Sequence, residues 1–389
     1  TTGSATLFSG LEAESNITGI TFSDKGGTRA AQASSYLSGV DTSSWLVYDA
    51  DNKSLLLVSH MVDTLYWVSG TGTWGADSLW AGTAGGTADS PFAEKSNVVF
   101  SGETGVTITL DTPATVGNIS VENGGYTFEG ESITLGGDLS IKNAEATFNN
   151  GIALAESAVT LDKGSKLTLS NDTTIKSLSN EGTVDIGDKA LTLSTATTKG
   201  GNVTAGDVAL TGDNTFTKLN ASGKVSGASA LTVGDGSSMG SLADGTALTV
   251  KGGTTTIGAE TELASLDNAG VLELGDNNLT VNAATTKGGT VNAKDVALTG
   301  DNTFTSLNAT GAVTGADSLT LGADSSMGSI ADGTKLTVND GTTTIKANTS
   351  LGALAGAGDL TVDGSLTLTD GGSIGNLTVN GGELTIGAP

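Results

Sequence analysis

The chain has 389 residues, long enough for two or three globular domains, but 58 glycines, 3 prolines and 4% aromatics set it apart from an ordinary globular mixture. Acidic residues outnumber basic ones by 42 to 17, and the net charge of −25 repels phosphate backbones and anionic lipid, so no nucleic-acid partner is expected. With no cysteine and one histidine, neither a disulfide scaffold nor a transition-metal site is available. Disorder is rejected for most of the chain, because 37% of residues are hydrophobic and fall in regular alternating triplets. Collagen is excluded by the lack of a third-position glycine period. No apolar stretch approaches the ~18–20 residues that span a bilayer. Thr1-Thr2-Gly3-Ser4 lacks the basic start and apolar run of a signal peptide, as expected of a processed or excised segment.

In chain order, residues 1–64 form a first β region. Trp45-Leu46-Val47-Tyr48, the acidic turn Asp49-Ala50-Asp51-Asn52 and Leu55-Leu56-Leu57-Val58 predict a strand, a turn and a strand. All four tryptophans lie between residues 45 and 80, a bulky cluster suited to capping the exposed end of a repeat array, with the boundary near residues 60 to 90.

Residues 65–135 open with Tyr66-Trp67-Val68-Ser69-Gly70-Thr71-Gly72-Thr73-Trp74 and Trp80. They continue through Asn97-Val98-Val99-Phe100-Ser101-Gly102, Val106-Thr107-Ile108-Thr109-Leu110, Val116-Gly117-Asn118-Ile119 and Gly125-Tyr126-Thr127-Phe128. This stretch resembles the Trp-Gly-rich opening of autotransporter-associated β-strand repeat proteins. The resemblance implies a right-handed parallel β-helix passenger, exported to the surface of a Gram-negative bacterium by an outer-membrane β-barrel translocator in the full-length protein. Passengers of this class are poor in cysteine, as this chain is. Nothing after Gly381 resembles such a barrel, which is expected to have been cut away or never to have belonged to this chain.

Residues 136–389 are dominated by apolar-Thr-apolar triplets such as Leu167-Thr168-Leu169, Leu231-Thr232-Val233, Leu319-Thr320-Leu321 and Leu366-Thr367-Leu368. Period-two alternation puts both aliphatics on one face and the threonine on the other. Turns such as Gly212-Asp213-Asn214 and Asn339-Asp340-Gly341 separate them, and no stretch has a helical period. Thr197–Phe216 and Thr285–Phe304 differ at three of twenty positions and lie 88 residues apart. The same offset relates Ser237–Ser241 to Ser325–Ser329 and Gly253–Ile257 to Gly341–Ile345. The repeats run at about 163–250 and 251–338, with a partial copy over 339–375. A fixed period marks a solenoid, here an all-β parallel β-helix with an aromatic-rich N-terminal cap. Dividing 88 by four predicts 22-residue coils of three strands and four coils per repeat.

Candidate chemistry is sparse. A serine triad needs a histidine base, and His60 is alone; Asp77-Ser78, Asp89-Ser90 and Asp317-Ser318 lack the glycine frame of such nucleophiles. Lyase chemistry on acidic sugars wants basic residues to neutralise the carboxylate, and the only arginine, Arg29, lies outside the repeats. Paired carboxylates for glycoside hydrolysis can be drawn from 42 acids, though their place in Gly/Asn turns favours solvated turn acids. Asp49, Asp51 and Asn52, or Gly234-Asp235-Gly236, offer calcium ligands without a calcium-loop pattern. Trp67, Trp74 and Trp80 read first as core or cap, and second as a glycan-stacking platform. No catalytic residue, metal site or cofactor is expected. The expected function is non-enzymatic: a surface-displayed or secreted passenger, adhesin or stalk, that binds host glycans or matrix or associates laterally with its own kind. The alternative is a polysaccharide-active enzyme, hydrolase or lyase, on the same scaffold.

Overall fold

In the computed structural model the chain is all-β, with no helix among the described residues, which are 64–75, 79–88, 92–195 and 197–387 together with the backbone of six strands before residue 64. It forms two compact units, residues 1–157 and 158–389.

The first unit begins with antiparallel pairing. Ser44–Asp49 lies antiparallel to Ser54–Ser59 with Leu46 opposite Leu57, the two strands that the sequence predicts there; the intervening residues 50–53 lie outside the described residues. Gly3–Ser9 pairs on the other edge of Ser54–Ser59. From residue 64 the pairing is parallel except where Thr64–Trp67 meets Trp80–Ala81, and the chain winds into coils of three strands. Asn97–Ser101, Ile119–Glu122 and Leu139–Lys142 stack on one face. Val106–Leu110, Gly125–Gly130 and Glu145–Phe148 stack on the second. Ala114–Val116, Ile133–Leu135 and the start of Ile152–Leu161 stack on the third. Val98 pairs with Ile119 and Ile119 with Leu139, steps of 21 and 20 residues, while Ala114, Ile133 and Ile152 are 19 apart.

Alternation decides what goes inside. In Val106–Leu110 the burial runs in–out–in–out–in, so Val106, Ile108 and Leu110 face the interior and Thr107 and Thr109 lie outside. Stacking coils then brings like against like: Ile108, Phe128 and Phe148 follow one another, and the last two rings stack at 4.6 Å.

The second unit is a parallel solenoid throughout, and it corrects the expected coil length. One outward row runs Asp185, Thr204, Asn220, Ser238, Thr256 and Glu273, in steps of 19, 16, 18, 18 and 17 residues. Glu273 is the repeat equivalent of Asp185, so the 88-residue repeat closes after five coils, not four. From Glu273 the row continues through Asn292, Asn308, Ser326, Thr344 and Thr361 in the same five step lengths. The 22-residue estimate fails because corners here take only a few residues. Between the inward Leu210 and Asn214, for example, the chain turns in three.

The apolar-Thr-apolar triplets behave as predicted. Leu231 and Val233 are fully buried around a half-exposed Thr232, and Leu319 and Leu321 do the same around Thr320. At the last coil the inward positions are open: Leu384 and Ile386 are 46% and 61% exposed, whereas their equivalents Val296 and Leu298, covered by another coil, are 0% and 4%.

Candidate functional site

The three tryptophans of 65–135 sit together and inward. Trp67, Trp74 and Trp80 are 4%, 2% and 0% exposed, so no ring face is open to a sugar. Trp67 and Trp74 each meet Trp80 edge-on at 5.0 Å, and Phe92 and Phe100 pack around them. The Trp67 Nε1–H donates to the Gly70 carbonyl and the Trp80 Nε1–H to the Trp74 carbonyl, both at 3.1 Å. Antiparallel pairing of Trp67 with Trp80 folds this segment back on itself. These rings are the core of the first coil.

His60, Asp51, Asn52, Asp77, Ser78, Asp89 and Ser90 lie outside the described residues, as do the side chains of Asp49 and Arg29. Among the described residues no group of three or more His, Cys, Asp or Glu side chains comes together to hold a metal.

The acids of the second unit have a structural role that sequence reasoning missed. At the corners, where the strand ladder is interrupted, a carboxylate or amide oxygen reaches the backbone N–H of the following coil. Asp207 Oδ1 accepts from Lys224 N at 2.7 Å, and its repeat equivalent Asp295 accepts from Ala312 N at 2.7 Å. Asp235 accepts from Thr254 N at 2.9 Å and Asp324 from Thr342 N at 2.7 Å. These bonds satisfy amides that a bent ladder leaves without a backbone acceptor. They also dictate glycine in the next coil. A Cβ on Gly223 would stand 2.0 Å from Asp207 Oδ1, and one on Gly311 would stand 2.1 Å from Asp295 Oδ1. The signal was present in the sequence as Asp207/Gly223 and Asp295/Gly311 recurring at one spacing, but it acquires meaning only from the coil length.

Two shallow hollows open on this unit. One, of about 370 Å³, is lined by Asp301, Asp317, Asp332, Thr334 and Lys335. The other, of about 330 Å³, follows a corner where Gly253, Gly270 and Gly289 stack; a Cβ on either of the last two would come 2.3 Å from the carbonyl oxygen of the glycine one coil earlier. That approach forms a smooth groove walled by Thr254, Thr290 and backbone, without an acid–base pair.

The outward rows are the remaining chemistry-bearing surface. The Asp185 row is almost wholly Thr, Ser and Asn, and its members bond along the row: Asn308 Nδ2 donates to Asn292 Oδ1 at 2.8 Å, and Ser238 Oγ to Asn220 Oδ1 at 3.2 Å. A second row, through Thr215, Thr232, Thr249, Asp267 and Lys287, carries charge at its middle. Comparison with protein-family models, curated proteins and solved structures returns no match to this chain.

Proposed function

We propose that the chain is a non-enzymatic passenger of autotransporter type, displayed at a bacterial surface or secreted, which works as a stalk or adhesin. The observation that carries this reading is the repeat itself. Both copies retrace the same five coils with the same step lengths, while their outward rows hold hydroxyl and amide side chains in register. A duplicated catalytic centre would carry a nucleophile or an acid–base pair in each copy. The copies instead carry Asp207 and Asp295, whose carboxylates bind backbone amides.

The Trp-Gly-rich opening at 65–135 supports the autotransporter assignment, and the parallel solenoid is compatible with it. In that setting an outer-membrane β-barrel would be the export partner, and the outward rows would meet host glycans, matrix or a second passenger. Evenly spaced polar rows favour many weak contacts acting together over one deep pocket.

A polysaccharide-active enzyme is the second reading, and the hollow that holds Asp301, Asp317 and Asp332 is where its carboxylates would stand. Incubation with mucin and plant glycans, followed by an assay for new reducing ends, separates the two. Turnover above background that disappears in Asp317→Asn or Asp332→Asn would sink the non-enzymatic reading. Retention on a glycan array without turnover is the expected result for an adhesin.

A further inference from the structure

One outward face of the second unit reads as its own complement when reversed. Register joins Thr215, Thr232, Thr249, Asp267, Lys287 and Thr303 in a single row. Thr320 and Thr337 continue it, with Ser318 Oγ bonded to Asp301 Oδ1 at 2.6 Å across the intervening step. Over eight successive coils the row is Thr-Thr-Thr-Asp-Lys-Thr-Thr-Thr. Turned end for end it pairs threonine with threonine, and Asp267 with Lys287.

The neighbouring row on the same face obeys the same symmetry. It runs Asp213, Ala230, Ala247, Ser265, Thr285, Asp301, Ser318 and Lys335. Reversal sets Asp213 against Lys335 and Asp301 against Ala247, with only small side chains at the other positions. No like charges meet. Asp213, Asp267, Lys287 and Lys335 are all exposed, and none has an ion-pair partner among the described residues.

We infer that this face is a homophilic interface, on which a second copy of the chain docks antiparallel about a two-fold axis lying along the strand direction. That axis passes between the coils of Asp267 and Lys287 and leaves each row facing its own mirror. Asp267 then meets Lys287 of the second copy and Asp213 meets Lys335, four ion pairs in all by symmetry. Between them the threonines form two flat hydroxyl patches. Eight coils at ~4.8 Å make a strip about 34 Å long. Its two faces together bury on the order of 1,000 Å², the size of a weak, reversible contact. The symmetry also bounds the assembly. Lys199, the repeat equivalent of Lys287, would need an acid one repeat on from Asp267, and Ala355 stands there. Being two-fold, the contact is isologous and closes on a pair.

This inference rests on the adhesive reading and names its partner. The test is sedimentation equilibrium of the full chain at physiological ionic strength and micromolar to millimolar concentration, with far-UV circular dichroism to confirm folding. The wild type should show a monomer–dimer equilibrium. Asp267→Lys and Lys287→Asp should each weaken it by about tenfold or more, since each sets like charges face to face. Combining the two should restore it, while Lys199→Asp, the same change outside the palindrome, should leave it unaltered. A wild type that stays monomeric, or a Lys199→Asp variant that responds as Lys287→Asp does, overturns the proposal. Either result leaves the non-enzymatic reading standing, because that is judged by glycan turnover.

Discussion

The coils of residues 64–157 and those of 158–389 solve the same packing problem with different side chains. The first set takes 19 to 21 residues per coil and fills its interior with rings: Trp67, Trp74, Trp80, Phe100, Phe128 and Phe148. The second takes mostly 16 to 19 and fills it with Leu, Val and Ile, keeping Phe216 and Phe304 at equivalent places in the two repeats. A wider coil needs bulkier contents. A narrow coil filled by aliphatics leaves less apolar area per turn, while side-chain brackets onto the next coil occur in both units: Asn97 Oδ1 accepts from Asn118 N at 2.9 Å in the first as Asp207 Oδ1 does from Lys224 N at 2.7 Å in the second.

The largest effect that would sharpen this contrast is expected from Phe128→Ala. Phe128 lies between Phe100 at 5.0 Å and Phe148 at 4.6 Å, and removing it should cost about 3–5 kcal/mol. All four tryptophans belong to the first unit, so tryptophan fluorescence during denaturation reports that unit alone. The fluorescence transition should move to lower denaturant while the circular dichroism of the remaining strands follows separately. Coincident transitions would show that the two units do not unfold independently.

Next in size is the bracket. Gly223→Ala forces Asp207 off the Lys224 amide and should cost about 1–3 kcal/mol. In an Asp207→Ala background the same change should cost far less, and a double-mutant cycle that finds no coupling would remove the bracket from the account. A change of opposite sign is expected at Thr286, whose fully buried hydroxyl has no hydrogen-bond partner. Thr286→Val should stabilise the second unit by up to about 1 kcal/mol, read as a shifted urea midpoint.

The smallest effect is the pH dependence that Glu122 gives the first unit. Hydrogen bonds from Ser120 and Lys142, with the Lys142 charge, hold the Glu122 carboxyl below its ordinary value of 4.5. A lowered folded-state pKa stabilises the fold above the ordinary value, and that contribution fades as pH falls below 4.5 through the folded value. Glu122→Gln should therefore lower the first unit's stability slightly at pH 7, and the difference should vanish in strong acid.

Much of this architecture was legible in the sequence, because a two-residue period needs no partner to be recognised. The triplet around Thr232 already says which side chains go inside. Coil length was not legible, since it depends on how tightly corners turn. Positions such as Gly223 look like any loop glycine until the carboxylate of Asp207 is seen beside them. The Trp67, Trp74 and Trp80 cluster could be read as core or as a binding platform from composition alone, and only burial separates these readings. The complementarity of Asp267 and Lys287 was hidden for a related reason. Twenty residues of separation carry no meaning until the ladder makes them neighbours.

The uneven steps of the second unit fix how its length can change. Successive coils differ by up to three residues, and only after five does the sequence of steps begin again. Removing one coil would join corners built for different spans. Removing the 88 residues from 185 to 272 would join matching ones, shortening the stack by five strand spacings, about 24 Å, with every bracket and row still aligned. Unequal recombination between the two copies would do this in one event. The second unit can thus change length in steps of five coils without any new packing having to be found.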